Sequence, residues 1–170
     1  NQLIRKKIVV IEYKSFKDAK GKLRTIHPYH LKQYNNRWFL FGWEESENYT
    51  GITNLALDRI INISETIKDI IPNDVDWADY FDEMIGVSRP IDKDAVELKL
   101  RFSVKRLPYV ITKPIHGASQ RLDKTDSEKR TIILNLLPNN EMYQAILSFG
   151  DDVEIISPVE VRDTMKEITN

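Results

Sequence analysis

Two extended, aromatic-rich runs, Leu23 to Tyr34 and Arg37 to Trp43, are separated only by Asn35-Asn36. Asparagine tolerates the positive φ that both central residues of a tight hairpin turn require, so this junction predicts two antiparallel strands and fixes their pairing. Lys7 to Lys14 is apolar and β-branched, Asp18-Ala19-Lys20-Gly21 has turn chemistry, and Glu44 to Tyr49 reads as a polar loop. Ile52 to Leu57 and Ile60 to Ile63 supply two further strands. About five short strands in roughly 60 residues, with almost no helix, argue for a small SH3-like or Sm-like β-barrel over residues 3–66.

The pattern changes after that. Residues 67–95 hold Pro72 and Pro90, and Trp77, Tyr80, Phe81 and Ile85 are spaced as one apolar helical face. That segment reads as an acidic linker carrying a short helix. Residues 96–170 read as strand Val96 to Val104, helix Leu107 to Lys113, a Gly-containing turn and strand Arg130 to Leu137. Asn140 is the expected cap of a helix running to Phe149, with Gly150 ending it. Strand Val153 to Ile156 follows. Ser157-Pro158-Val159-Glu160 has the form of a capping box opening the last helix. This alternation predicts a small ferredoxin-like α+β domain, so the whole chain is expected to be mainly β plus α+β.

Charge divides along the same lines. Lys and Arg outnumber Asp and Glu by 11 to 6 in residues 1–64, fall behind 3 to 9 in residues 65–95, and balance 11 to 11 in residues 96–170. A basic first segment favours anionic partners. The longest apolar runs, such as Ile8-Val9-Val10-Ile11, are strand-sized and far short of the roughly 20 residues of a membrane span. The absence of cysteine removes disulfides, thiolate zinc sites and a Cys nucleophile, and suits a reducing cytoplasm. The first residues, Asn1-Gln2-Leu3-Ile4-Arg5, lack an initiator Met and read as the start of a piece from a longer chain.

Catalytic constellations are hard to assemble from these residues. His27 and His30 stand three apart in an expected strand, which places the imidazoles on opposite faces and argues against a metal pair. His116 and Ser119 could pair in a polar turn, but no third member or oxyanion hole is marked. Phosphate loops are absent and no cofactor is expected. Binding is easier to argue: Lys14, Lys17, Lys20, Lys22, Arg24, Lys32 and Arg37 lie beside Tyr13, Tyr29, Tyr34 and Trp38. Cations that meet phosphates, interleaved with rings that stack on bases, suit single-stranded nucleic acid or a nucleotide. Core packing is the competing reading for each ring, and a surface contact with Asp58 the competing reading for Arg59.

Four blocks in order resemble a known family: Ile11-Glu12-Tyr13-Lys14-Ser15, His27-Pro28-Tyr29-His30-Leu31, Asn36-Arg37-Trp38-Phe39-Leu40-Phe41-Gly42 and Leu57-Asp58-Arg59-Ile60. Together they resemble a WYL domain, whose name-giving triplet is Trp38-Phe39-Leu40 here. Tyr80-Phe81, Pro114-Ile115-His116-Gly117 and Ile146-Leu147-Ser148-Phe149-Gly150 are similar to the C-terminal extension (WCX) domain that follows many WYL domains. The resemblance implies a transcription regulator: a Sm-like barrel that binds an anionic effector, in some members single-stranded DNA or RNA or a nucleotide. It further implies an upstream helix-turn-helix domain that binds duplex DNA, dimerisation through the C-terminal part, and no enzymatic activity. A stand-alone nucleic-acid-binding accessory to a phage-defence or RNA-guided system is the alternative. Carried over by position, the ligand-binding residues would be Tyr13, Ser15, Arg24, His30, Trp38, Phe39 and Arg59. Phe39 stands where the family usually has Tyr, and Ala56 where many members have a second Arg, so the ligand is expected to differ from that of the DNA-binding members.

Overall fold

The computed structural model describes residues 6–46 and 49–170. The chain forms two compact units, Asn1–Trp77 and Ala78–Asn170, and each has its own antiparallel sheet.

In the first unit, strands β1 (Lys7–Tyr13), β2 (Lys22–Tyr34), β3 (Arg37–Ser46), β4 (Tyr49–Ala56) and β5 (Ile60–Asp69) form one sheet of order β4-β3-β2-β1-β5. The hairpin turn is as its sequence predicts: Asn35 and Asn36 have φ of 46° and 60°, and Tyr34 pairs with Arg37. Strands β4 and β5 lie at opposite edges, yet only the 3₁₀ turn Leu57–Arg59 connects them. Four residue steps from Ala56 to Ile60 span at most about 14 Å, whereas four inter-strand spacings in a flat sheet cover about 19 Å. The sheet must therefore coil tightly at this end. Among the described residues no ladder joins β4 to β5, so the sheet is tightly coiled but its edges are not paired into a closed barrel. The 3₁₀ turn redirects the chain from one edge to the other without laying the two rows of backbone donors and acceptors side by side.

Alternation places Val9, Ile11 and Tyr13 of β1 with Ile26, Leu40 and Leu55 in a small buried cluster, with Ile60 packed against it. Two boundaries differ from expectation. Strand β3 runs on through Glu44, which is buried rather than in a loop, because Arg24 of β2 meets its carboxylate. Strand β5 continues past Ile63 to Asp69; its residues are mostly exposed on both sides, so no apolar alternation marks it, and only its ladder with β1 holds it extended.

The boundary helix α1 (Trp77–Asp82) is shorter than its apolar spacing suggested and stops before Ile85. There the chain turns through Gly86, whose φ of 85° is accessible to glycine at little cost, and an added Cβ would lie 2.5 Å from the Glu141 side chain. In the second unit, strands β6 (Val96–Phe102), β7 (Arg121–Leu122), β8 (Thr131–Leu136) and β9 (Val153–Ser157) take the order β7-β8-β6-β9. Helix α2 (Leu107–Thr112) precedes β7, α3 (Asn140–Leu147) precedes β9, and α4 (Val159–Thr169) follows it. Leu98, Leu100 and Phe102 on β6 and Ile132, Leu134 and Leu136 on β8 alternate inward against Val110, Met142, Tyr143, Ile146, Ile155 and Val161. Burying each such side chain contributes about 1.5–3 kcal/mol.

Two helix starts are built differently from their sequence signatures. Asn139, not Asn140, caps α3: its backbone is extended, so its Oδ1 reaches the Met142 N–H at 2.8 Å, while Asn140 is already helical. Its amide also donates to the carbonyls of Ile85 and Ser88 at 2.8 and 2.9 Å, fastening that segment to this unit. At α4, Ser157 stays in the β9 ladder opposite Lys99, so Pro158 takes the cap position and the expected capping box does not form.

Candidate ligand-binding site

The turn from β1 to β2 is held by local polar contacts. Ser15 Oγ donates to Asp18 Oδ2 at 2.6 Å, and the Ser15 carbonyl accepts the Asp18 N–H. Hydrogen bonds from Lys22 and then Ser15 hold the Asp18 carboxyl below its ordinary range. Lys14, Lys17 and Lys20 stand exposed on this turn with no carboxylate in ion-pair reach among the described residues. The Lys14 N–H donates to the Arg59 carbonyl at 3.1 Å, which brings the β4–β5 turn alongside. There the Arg59 guanidinium lies over the Phe16 ring, 3.8 Å from its centroid, and its buried Nε–H has no hydrogen-bond acceptor. Phe16 is itself 83% exposed. Asp58, the partner considered for Arg59, instead pairs with Arg37, whose hydrogen bond keeps the Asp58 carboxyl low.

The other expected ligand residues do not converge on that turn. Tyr13 and Arg24 share the face of the buried cluster, with the Arg24 guanidinium 5.6 Å from the Tyr13 ring. Arg24 is occupied: its Nε donates to Glu44 at 2.8 Å, a second nitrogen pairs with the same carboxylate, and Thr53 Oγ1 is 3.0 Å away. Trp38 lies on this face too, at the exposed end of β3, and Phe39 points to the opposite side.

That opposite side also holds both histidines. A bulge between Pro28 and His30 sets two residues of β2 against one of β3, so His27 pairs with Trp43 and His30 with Phe41. Because those partners are two apart, the imidazoles share a face, contrary to the alternation expected of a regular strand. Gly42, opposite Pro28, is required by the close approach: a Cβ there would lie 2.5 Å from the His27 carbonyl oxygen. His27 Nδ1 accepts the Ile71 N–H at 2.9 Å, and His30 stacks on Trp77 at 5.1 Å. Burial, and then Lys32, push the His30 pKa down, which favours the neutral ring. No group of three or more acidic or histidine side chains is placed to hold a metal among the described residues.

In the second unit His116 Nδ1 is 2.9 Å from Ser119 Oγ, but that oxygen also donates to the Asn135 carbonyl and accepts the Asn135 N–H. The pair pins a loop to β8, and its hydroxyl proton is already committed. Sequence reasoning missed Phe16 and Glu44. Phe16 was legible as the one aromatic residue inside a polar turn, whereas Glu44 carries no signal apart from Arg24.

The family-model comparison matches a WYL domain to residues 2–65 and a WCX domain to residues 94–169. No curated protein sequence matches the chain. Among solved structures, a CRISPR Cas-related protein is similar over 96% of this chain and 46% of its own, at 13% identity and TM-score 0.52. Proteasome accessory factor B/C (PafBC) of Arthrobacter aurescens is matched over 97% of this chain and 24% of its own, at 13% identity and TM-score 0.38. The chain thus spans less than half the length of either. No helix among the described residues is long and apolar enough to cross a membrane. With both sequence models placed in order over the two sheets, the chain belongs to the proteins that join a WYL domain to a WCX domain.

Proposed function

We propose that this chain is the effector-binding part of a cytoplasmic transcription regulator, a binding module without catalytic activity or cofactor, whose ligand is an anion of nucleic-acid type. The observation that carries this reading is Arg59. Its guanidinium is sandwiched against an exposed Phe16 ring, with a buried N–H lacking an acceptor, beside three unpaired lysines. An unsatisfied buried donor costs free energy that an arriving phosphate or carboxylate oxygen would recover once Phe16 swings aside. Phe16 then offers its face to a base. Of the family-derived residues, Ser15 shapes this turn, while Arg24 and Tyr13 support the sheet behind it.

Signalling would pass to an upstream helix-turn-helix domain on duplex DNA, in a homodimer that matches two half-sites. The strand order and tight coiling of the first sheet support a Sm-like barrel, and the β-α-β-β-α-β order of the second unit supports a ferredoxin-like fold. A second reading, a stand-alone nucleic-acid-binding accessory, draws on the CRISPR Cas-related protein whose fold is similar.

Anisotropy titration with a labelled short DNA strand and its duplex, at two salt concentrations, tests both readings. The expected result is preference for the single strand, steep weakening by salt, and a tenfold to hundredfold loss, about 1.5–3 kcal/mol, in Arg59→Ala. An unchanged Arg59→Ala curve removes the site, and equal affinity for duplex reduces the basic turn to non-specific attraction.

A further inference from the structure

Within the first unit, the chain after β5 returns across the face that carries His27 and His30. The Ile70 N–H donates to the Lys6 carbonyl at 3.0 Å, the Ile71 N–H to His27, and the Tyr29 hydroxyl to the Ile71 carbonyl at 2.8 Å. Trp77 closes the far end against His30 and Phe41, with centroids 5.1 and 5.8 Å away. Between this strap and the sheet is a cavity of about 310 Å³, walled by Tyr29, Trp43, Ile52, Pro72 and Val75, with Glu45 at its edge.

We infer that this cavity is a binding site for a small organic cation, an amine or quaternary ammonium group on an apolar body. Its size lies at the lower end of small-molecule pockets, and its wall is largely apolar. The Trp43 and Tyr29 rings offer the negative faces that attract a cation. Glu45 is the one charged side chain in the lining, and it has no ion pair or hydrogen bond among the described residues. The phenol of Tyr29 is held above its ordinary range, first by burial and then by the Glu45 charge, so the field of that carboxylate reaches the wall. The strap, residues 70–77, adds Asp74 and Asp76 and no Lys or Arg. The one charge in the cavity lining is thus the Glu45 carboxylate, and an anion would meet repulsion there. The walls are also fixed beforehand: Tyr29 is tied to Ile71, and the Asn73 side chain accepts the Val75 N–H at 3.1 Å.

The test uses the whole chain and three probes with a common ring: benzyltrimethylammonium, benzyl alcohol and benzoate. The indole N–H signals of Trp38, Trp43 and Trp77, assigned by Trp→Phe replacements, report where each binds. Saturable movement of the Trp43 signal with the cation is expected, with Trp38 unmoved, weaker response to the alcohol and none to benzoate. Glu45→Gln should weaken the cation about tenfold, as loss of a charge-assisted contact does, and should leave spectrum and melting temperature otherwise unchanged because Glu45 is exposed. Added sodium chloride should weaken binding to the wild-type chain, which gives the same answer without a variant. Benzoate binding as well as the cation, an unchanged affinity in Glu45→Gln, or no saturable shift of Trp43 would each overturn the assignment.

Discussion

The second unit fills its interior with one apolar cluster of twelve buried residues, whereas the first has a six-residue cluster; each also buries polar side chains, Asp123, Thr131 and Asn139 in the second and Glu44 and His27 in the first. Apolar burial is non-directional and tolerant of small displacement. Polar burial is stable only when every partner is present. With half as many residues in its cluster, the first unit rests proportionally more on polar pairs such as Arg24 with Glu44, and the larger cluster suits the second unit to bearing stability. All three tryptophans lie in the first unit, Trp38 and Trp43 within its sheet and Trp77 as its last residue, so their fluorescence reports chiefly on it.

The largest effect that would sharpen this contrast is expected from Leu134→Ala, which removes a fully buried side chain from β8. Losses of this kind amount to about 2–5 kcal/mol. Urea unfolding followed by far-ultraviolet circular dichroism should show the shift more strongly than tryptophan emission; equal displacement of both signals would break the division of labour.

Next comes Glu44→Ala, which leaves the Arg24 guanidinium, about a quarter exposed, without its carboxylate. Removing one member of a buried pair costs about 3–5 kcal/mol, and the partial exposure of Arg24 brings the expectation to about 2–3 kcal/mol. Here tryptophan emission should move first. The double change Arg24→Met with Glu44→Leu should recover most of the loss, because no charge is then stranded; a double variant as unstable as the single one would mean that the pair is irreplaceable.

A smaller change is expected from Asn139→Ala, which removes the α3 cap and frees the carbonyls of Ile85 and Ser88. A lost cap costs about 0.5–2 kcal/mol, to be read as a lower urea midpoint by circular dichroism with tryptophan emission little altered.

The smallest effect concerns acid. Hydrogen bonds from the Thr125 hydroxyl and N–H, and then from Lys99, hold the Asp123 carboxyl at about 2, below its ordinary 3.8. A depressed carboxylate stabilises the fold above its unfolded pKa, and that contribution fades as pH falls from about 4 towards 2. Asp123→Asn should therefore lower the urea midpoint at pH 6 and converge with the wild type near pH 2. A constant difference across that range would assign the effect to packing.

Where residues alternate against a single core, the strands could be read directly, as with Val9, Ile11 and Tyr13 or Leu98, Leu100 and Phe102. The Asn35-Asn36 turn was equally legible because both positions demand positive φ. The continuation of β5 past Ile63 and the two-residue β7 were not, since exposure on both faces erases periodicity. Of the expected ligand residues, Ser15 and Arg59 lie on adjoining turns, joined by the bond from the Lys14 N–H to the Arg59 carbonyl. The pairing of Arg24 was not legible, because its partner, Glu44, lies twenty residues away. His27 and His30 were misplaced because a bulge is a property of two strands together, and a one-strand period contains no trace of it.

That bulge can be understood as a phase boundary. Strand β2 answers to two clocks: its first half keeps time with β1 through Ile26 opposite Val9, and its second half with the hairpin through Leu31 opposite Leu40. Ile26 lies in the buried cluster and Leu31 faces the same side opposite Leu40, yet the two are an odd number of residues apart, and a strictly alternating strand could satisfy only one of these pairings. Tyr29 is the inserted beat that reconciles the two. Deleting it would turn half of the strand inside out, and lengthening the Asn35-Asn36 turn would not compensate, because the mismatch lies between neighbours on either side of β2 and not at its end.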